Sequence, residues 1–165
     1  MLKKTEGEPG KVLLHQLLKL TNRLMAPFST HLAHRYRISL NEFRLLMTIG
    51  ELGRSASHEL AALTGVNVMS VSRAVATLER HGRISVTLDP ANRRRKWLSL
   101  TDEGRRLYEI MRPQSENVAN YLFSALSEDE TVMLDRLVTK LIDTLEARDE
   151  AGRSLFIERT RPDRG

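Results

Sequence analysis

Apolar side chains fall at Leu14, Leu17, Leu18, Leu24, Met25, Phe28 and Leu32, with Thr21 on the same face. That i, i+3, i+4, i+7 spacing predicts a long amphipathic helix from Lys11 to about His34. A second helix is signalled by Ser39-Leu-Asn-Glu42, a reciprocal cap in which the serine hydroxyl and the glutamate carboxylate each accept from the other's backbone N–H. Phe43, Leu46, Met47 and Ile49 make its stripe, and Gly50 and Gly53 are expected to break it. Ser55 or Ser57 is placed to cap a third helix through Leu63. Thr64-Gly65-Val66 leaves room only for a tight turn, and Asn67 is a good cap for a fourth helix. Val71, Val75 and Leu78 give that helix a buried side until His81-Gly82 stops it, while Ser70, Arg73, Thr77 and Arg80 lie on the other face.

The hydrophobic period then drops from about 3.6 to about 2. Ile84, Val86 and Leu88 alternate with Ser85 and Thr87, and Trp97 to Leu100 alternates again, which predicts a β-hairpin. Its tip, Asp89-Pro-Ala-Asn-Arg-Arg-Arg-Lys96, is long and basic. Thr101-Asp-Glu opens a fifth helix through Leu107, Met111, Val118 and Leu122 toward Leu126, with Pro113 expected to bend it. Ser127-Glu-Asp-Glu130 repeats the reciprocal cap for a sixth, whose apolar face is Leu134, Leu137, Leu141 and Leu145, to about Glu150. Residues 151–165 carry Gly, Pro and scattered charge and are expected to pack weakly or to act as an extension. The predicted fold class is mainly α: about six helices plus a small antiparallel hairpin.

Composition narrows the function. A chain of 165 residues, 41% apolar and 28% charged, has enough length for one globular domain with a core of its own. The absence of cysteine excludes a disulfide framework, a Cys-ligated zinc site, a thiol nucleophile and thiol-based peroxide sensing. No window approaches a membrane-spanning apolar run, and the stretch MLKKTEGEPGK is followed by no apolar core or cleavage signal, so a cytoplasmic location is expected. There is no G-x-G-x-x-G, Walker A, G-x-S-x-G or H-E-x-x-H pattern, and five scattered histidines do not make a triad; neither an enzyme nor a cofactor is expected. His31 and His34 have a possible metal spacing but no evident third ligand, so no metal is expected either.

The net charge of +5 is concentrated. From Arg54 to Leu100 eight Lys/Arg face three acids, whereas from Ser127 to Glu150 three bases face eight acids. A cationic middle points to a polyanionic partner. Helix, three-residue turn, helix and basic hairpin is the order of a winged helix-turn-helix. The offsets fit its packing: Ala61 is small where two helices cross, Gly65 four residues later suits the turn, and Val71 six further on is a core wedge. In such a unit the second helix enters the major groove, which nominates Asn67, Met69, Ser70, Ser72, Arg73 and Thr77 as base-reading candidates. Asn67 and Ser70 also suit simple helix capping, and Arg73 a solvated surface. Arg93, Arg94, Arg95 and Lys96 repel one another at a hairpin tip, and an anionic partner offsets that repulsion. Trp97 fits hairpin packing better than base stacking.

The stretch Leu60 to Gly104 resembles the MarR family of bacterial transcriptional regulators. The resemblance lies in Leu60-Ala61 and Gly65-Val66, in Leu78-Glu79-Arg80-His81-Gly82, in the wing Asp89-Pro-Ala-Asn-Arg-Arg94, and in Leu98-Ser-Leu-Thr101-Asp-Glu-Gly104. It implies an intertwined homodimer on a pseudo-palindromic operator in double-stranded DNA. Residues 11–36 would form an N-terminal dimerisation helix, 37–104 the DNA-binding region, 105–150 the C-terminal dimerisation helices and 151–165 a tail. It further implies that Asp89 pairs with an arginine of its own hairpin and that Arg94 enters the minor groove. Where the family usually carries an arginine two residues past Ile84, this chain has Val86, for which Arg83, Arg93 or Arg95 could compensate. The family also implies a repressor released by a small aromatic or phenolic effector, held in a crevice for which His15, Arg23, His34, Arg44, Met47, Tyr108 and Met111 are candidates. The competing reading is a sequence-nonspecific, architectural nucleic-acid binder, for which a basic wing would suffice.

Overall fold

The computed structural model describes residues 9–162; most of the N-terminal stretch read above for targeting signals, residues 1–8, lies outside them. The chain divides into two compact units, Met1–Val118 and Ala119–Gly165.

In the first unit, α1 (Pro9–Leu24) is followed by α2 (Ala26–Phe28), a π-helical turn (Ser29–Ala33) and α3 (His34–Tyr36). The single helix expected over this span is therefore interrupted. Pro27 has no N–H to give to the Arg23 carbonyl and its ring crowds that turn, which accounts for the break at Met25. The π turn that follows carries Leu32 into the core. Every residue of α1 is exposed or half-buried, its leucines included.

Helix α4 (Leu40–Leu52) begins at the predicted cap, where Ser39 Oγ accepts from Glu42 N–H at 3.2 Å and donates to Glu42 Oε1 at 2.9 Å. It runs through Gly50, against expectation, and stops at Gly53. Gly50 is a close-approach position: the Tyr108 ring occupies the space a Cβ would need. Leu45, Leu46, Met47 and Ile49 are buried, and Phe43 meets Phe28 with ring centres 4.8 Å apart.

Residues Ser55–Ala56 form a short strand, β1, which the sequence reading lacked. Helix α5 (Ser57–Thr64) follows, and its cap is neither Ser55 nor Ser57: Ala56 takes the cap position and its N–H is met by the Glu59 carboxylate at 2.8 Å. Gly65, at φ 66°, ends α5 and lets the chain reverse into α6 (Val68–Arg80). Asn67 caps α6 by accepting from Ser70 N–H at 2.9 Å. Val71, Ala74 and Leu78 are its buried side, with Val75 half-buried. Past His81, Gly82 N–H reaches Glu79 O at 2.8 Å and Arg83 N–H reaches Leu78 O at 2.8 Å, the paired bonds of a Schellman stop.

Strands β2 (Ile84–Leu88) and β3 (Lys96–Leu100) make the predicted hairpin in the register Ile84↔Leu100 to Leu88↔Lys96. β1 joins the far edge of β3, giving the antiparallel order β1-β3-β2. Thr101 caps α7 (Asp102–Phe123) by accepting from Gly104 N–H at 3.1 Å, and its hydroxyl donates to Gly82 O at 2.6 Å. The helix passes Pro113 without ending. Leu107 and Met111 close the core built by α4, α5, α6 and the hairpin.

In the second unit, α8 (Glu128–Glu146) starts at the predicted reciprocal cap of Ser127 and Glu130 and buries no residue. Within the expected tail, α9 (Leu155–Thr160) is helical. Ser154 caps it by accepting from Ile157 N–H at 3.3 Å, and Leu155 N–H bonds Ala147 O at 2.9 Å. Leu155 is half-buried while Phe156 and Ile157 are exposed, so the turn is held by its cap and backbone bond, which the weak apolar composition of this stretch does not signal.

Candidate nucleic-acid interface

The turn between α5 and α6 presents the N-terminal half of α6 outward. Val68 and Met69 are 71% and 67% exposed, Asn67, Ser72 and Arg73 are exposed, and Ser70 and Thr77 are half-buried. Large apolar side chains held this open by a well-capped helix are placed to meet a surface. Asn67 Oδ1 is committed to its cap. Arg73 has no hydrogen bond or ion pair among the described residues; with Ser70 and Thr77 it lines a groove of about 180 Å³ against Ser39, Asn41 and Glu42 at the start of α4.

The wing tip is a structured turn. Asp89 N–H meets Arg95 O at 2.9 Å, Asp89 Oδ1 accepts from Ala91 N–H at 2.9 Å, and Asn92 Oδ1 accepts from Arg94 N–H at 3.1 Å. Asp89 therefore holds the turn's backbone, and no ion pair joins it to an arginine of the hairpin among the described residues, contrary to expectation. Its carboxyl is held below the ordinary range first by the Ala91 N–H and next by the Trp97 indole N–H, with the Asn92 N–H and the Arg95 charge contributing less.

The four consecutive cations have different duties. Arg93, Arg94 and Lys96 are exposed. Arg95 turns back into the protein: its guanidinium meets Glu59 Oε1 at 2.8 Å and lies 4.0 Å from the Trp97 ring centre. Trp97 itself serves packing, with Arg54 4.1 Å from the same ring centre. Arg83 does not compensate for Val86. It is 9% exposed, and its side chain donates to Tyr36 O at 2.6 Å and Arg37 O at 3.2 Å, closing the C-terminal end of α3, with Glu42 at 3.8 Å. Val86 is half-buried opposite Leu98.

Helix and wing converge. Ser57 and His58 of α5, Val68, Val71 and Ser72 of α6, and Arg94, Arg95 and Lys96 of the wing line one open groove of about 260 Å³. His58 was not among the sequence candidates. Neither was Glu59, although its place three residues after Ala56 is the acidic half of a capping pattern.

The effector candidates do not gather in the same way. His15 is exposed on α1, its Nδ1 2.8 Å from Lys11 O, and Arg23 and His34 are exposed. Arg44 and Tyr108 are half-buried, whereas Met47 and Met111, at 8% and 0% exposure, are core residues rather than the walls of an open crevice. Neither groove described above is lined by any of the seven.

Comparison with known proteins agrees with this geometry. Residues 38–96, from the start of α4 to the wing, match the model of the MarR family. The chain is 26% identical over 129 residues to the uncharacterised HTH-type transcriptional regulator YwaE of Bacillus subtilis, covering 78% of this chain and 75% of the relative. It is 26% identical to the HTH-type transcriptional repressor NicR of Pseudomonas putida, covering 79% and 82%. Among solved structures it resembles BpsR of Bordetella bronchiseptica, whose DNA binding is regulated by 6-hydroxynicotinic acid: TM-score 0.68, 25% identity, 79% of this chain and 98% of that one.

Proposed function

We propose that the chain is a member of the MarR family of transcriptional regulators and, on that premise, a homodimeric repressor that binds a pseudo-palindromic operator in double-stranded DNA. The observation that carries the reading is the shared groove: the outward residues of α6 and the wing cations Arg94 and Lys96 flank one channel. α6 then lies in the major groove with Arg73 at base edges, while Arg93, Arg94 and Lys96 follow the backbone into the adjoining minor groove. Exposed leucines along α1 and α8 supply the dimer surface, and two-fold symmetry sets the reading helices about one DNA turn apart, on the order of 34 Å.

Release by a small aromatic or phenolic acid is supported by the relative regulated by 6-hydroxynicotinic acid. A ligand that prefers a half-site spacing unfit for DNA lowers operator affinity by linkage. No single helix among the described residues is long and apolar enough to cross a membrane, and a repressor of this kind acts in the cytoplasm beside its DNA.

Selection of bound sites from a random duplex pool tests the assignment. A regulator holds the recovered palindrome roughly 10³-fold or more above random duplex at fixed salt. An architectural binder shows almost no such ratio and only a steep salt slope, and that outcome would replace the present reading. Challenge of the complex with aromatic acids then identifies the effector class.

A further inference from the structure

One carboxylate sits where the helix-turn-helix meets the wing. Glu59 lies in the first turn of α5. Its Oε2 accepts from the Ala56 N–H at 2.8 Å and from the Ser55 hydroxyl at 3.3 Å, bonds that cap α5 and brace β1. Its Oε1 accepts from Arg95 Nη2 at 2.8 Å, a residue 36 positions later in the chain. Arg95 and Arg54 both place their guanidinium carbons within 4.1 Å of the Trp97 ring centre. Two guanidinium groups that near one centre overlap if they share a face, so they flank the indole. Trp97 pairs with Ala56 across β1 and β3, which brings cap, ion pair and sandwich to one junction.

We infer that Glu59 is the positioning residue of the wing: through Arg95 and Trp97 it fixes β3 against α5 and so aims Arg94 and Lys96 along the groove beside α6. The inference rests on the DNA-binding reading above. Two observations set Glu59 apart from an ordinary surface acid. Its chain neighbours Ser57 and His58 and its ion-pair partner Arg95 line the cationic groove, so an unpaired carboxylate this near would repel a phosphate backbone. It also neutralises one cation of the Arg93 to Lys96 run, and that cation is the one turned away from the exposed tip. The carboxyl is held below its ordinary range, first by the Ala56 N–H and then by the Arg95 charge and the Ser55 hydroxyl, so the pair persists at neutral pH.

The test uses the full chain and the duplex that the wild-type protein selects from a random pool. Glu59→Gln keeps the side-chain shape and an acceptor for Ala56 but removes the charge. A surface acid so removed beside a polyanion leaves binding tighter. A positioning acid so removed leaves it weaker, and about tenfold weaker is expected. Arg95→Gln should weaken binding to a similar extent, and the double variant no further than either single. Arg95→Gln leaves the α5 cap intact and decides the matter even if Glu59→Gln melts below the assay temperature: in an Arg94→Ala, Lys96→Ala background its loss should largely vanish if it acts by aiming those two cations, and persist in full if it acts on the DNA directly. Binding by Glu59→Gln as tight as or tighter than wild type, additive losses, or an Arg95→Gln loss undiminished in the Arg94→Ala, Lys96→Ala background each overturns the inference. The DNA-binding reading fails separately, if wild type does not distinguish its selected duplex from random sequence.

Discussion

Each side chain at the interface makes a separable demand. Arg73 has no partner among the described residues and faces outward from the first half of α6. Arg73→Ala should therefore cost about 1 to 3 kcal/mol at the selected site and relax its sequence preference, read by titration against single-base variants. Arg94 on the wing reads no base in this arrangement. Its replacement by alanine should weaken binding to all duplexes and lower the salt slope by about one. Gly104 shows why the Leu-Thr-x-x-Gly pattern at the wing's exit has its final glycine. A Cβ there would strike the Arg83 carbonyl, the same carbonyl that receives Thr101 N–H at 3.2 Å. Because the clash is with backbone, Gly104→Ala should destabilise by about 1 to 3 kcal/mol or more, measured as a lowered urea midpoint. Arg83 was the least legible residue. Its basic character suggests surface, and only the folded chain brings it to the Tyr36 and Arg37 carbonyls.

Elements were legible wherever a local rule decides. The caps at Ser39, Asn67, Thr101 and Ser127, the turn at Gly65 and the existence of the hairpin all follow from near neighbours in sequence. Two elements were not. β1 consists of two residues that become a strand only because β3 lies alongside, and α1 to α3 read as one stripe because the π turn restores the apolar face after Pro27 interrupts it. Pairing in the wing carries a pH signature. Glu59 and Asp89 both titrate below their ordinary values, chiefly through the Ala56 and Ala91 N–H groups respectively. A carboxyl depressed by folding adds stability that is fully present above its unfolded pKa and is lost as pH falls through the folded one. Thermal unfolding of wild type should accordingly fall off below about pH 4.5, and Glu59→Gln should show a shallower acid limb in the same scans.

At the scale of the whole molecule, the largest discrepancy with an ordinary monomer is the apolar surface left bare. α8 buries nothing while Leu134, Leu137, Leu141 and Leu145 recur along it, and α1 exposes Leu13, Leu14, Leu17 and Leu18. Both stripes were visible in the sequence; what covers them was not, because one chain does not encode its copy's position. Leu137→Lys with Leu141→Lys should leave the winged unit folded, shift sedimentation from dimer toward monomer, and weaken operator binding by well over tenfold as the second half-site is lost. The sandwich at the wing's base has a consequence of another kind. Trp97 is the chain's single indole, and it is stacked between two charged groups whose movement alters its emission. The protein thus carries a native optical gauge of its flap, able to report without any attached dye whether DNA has moved β3 against α5.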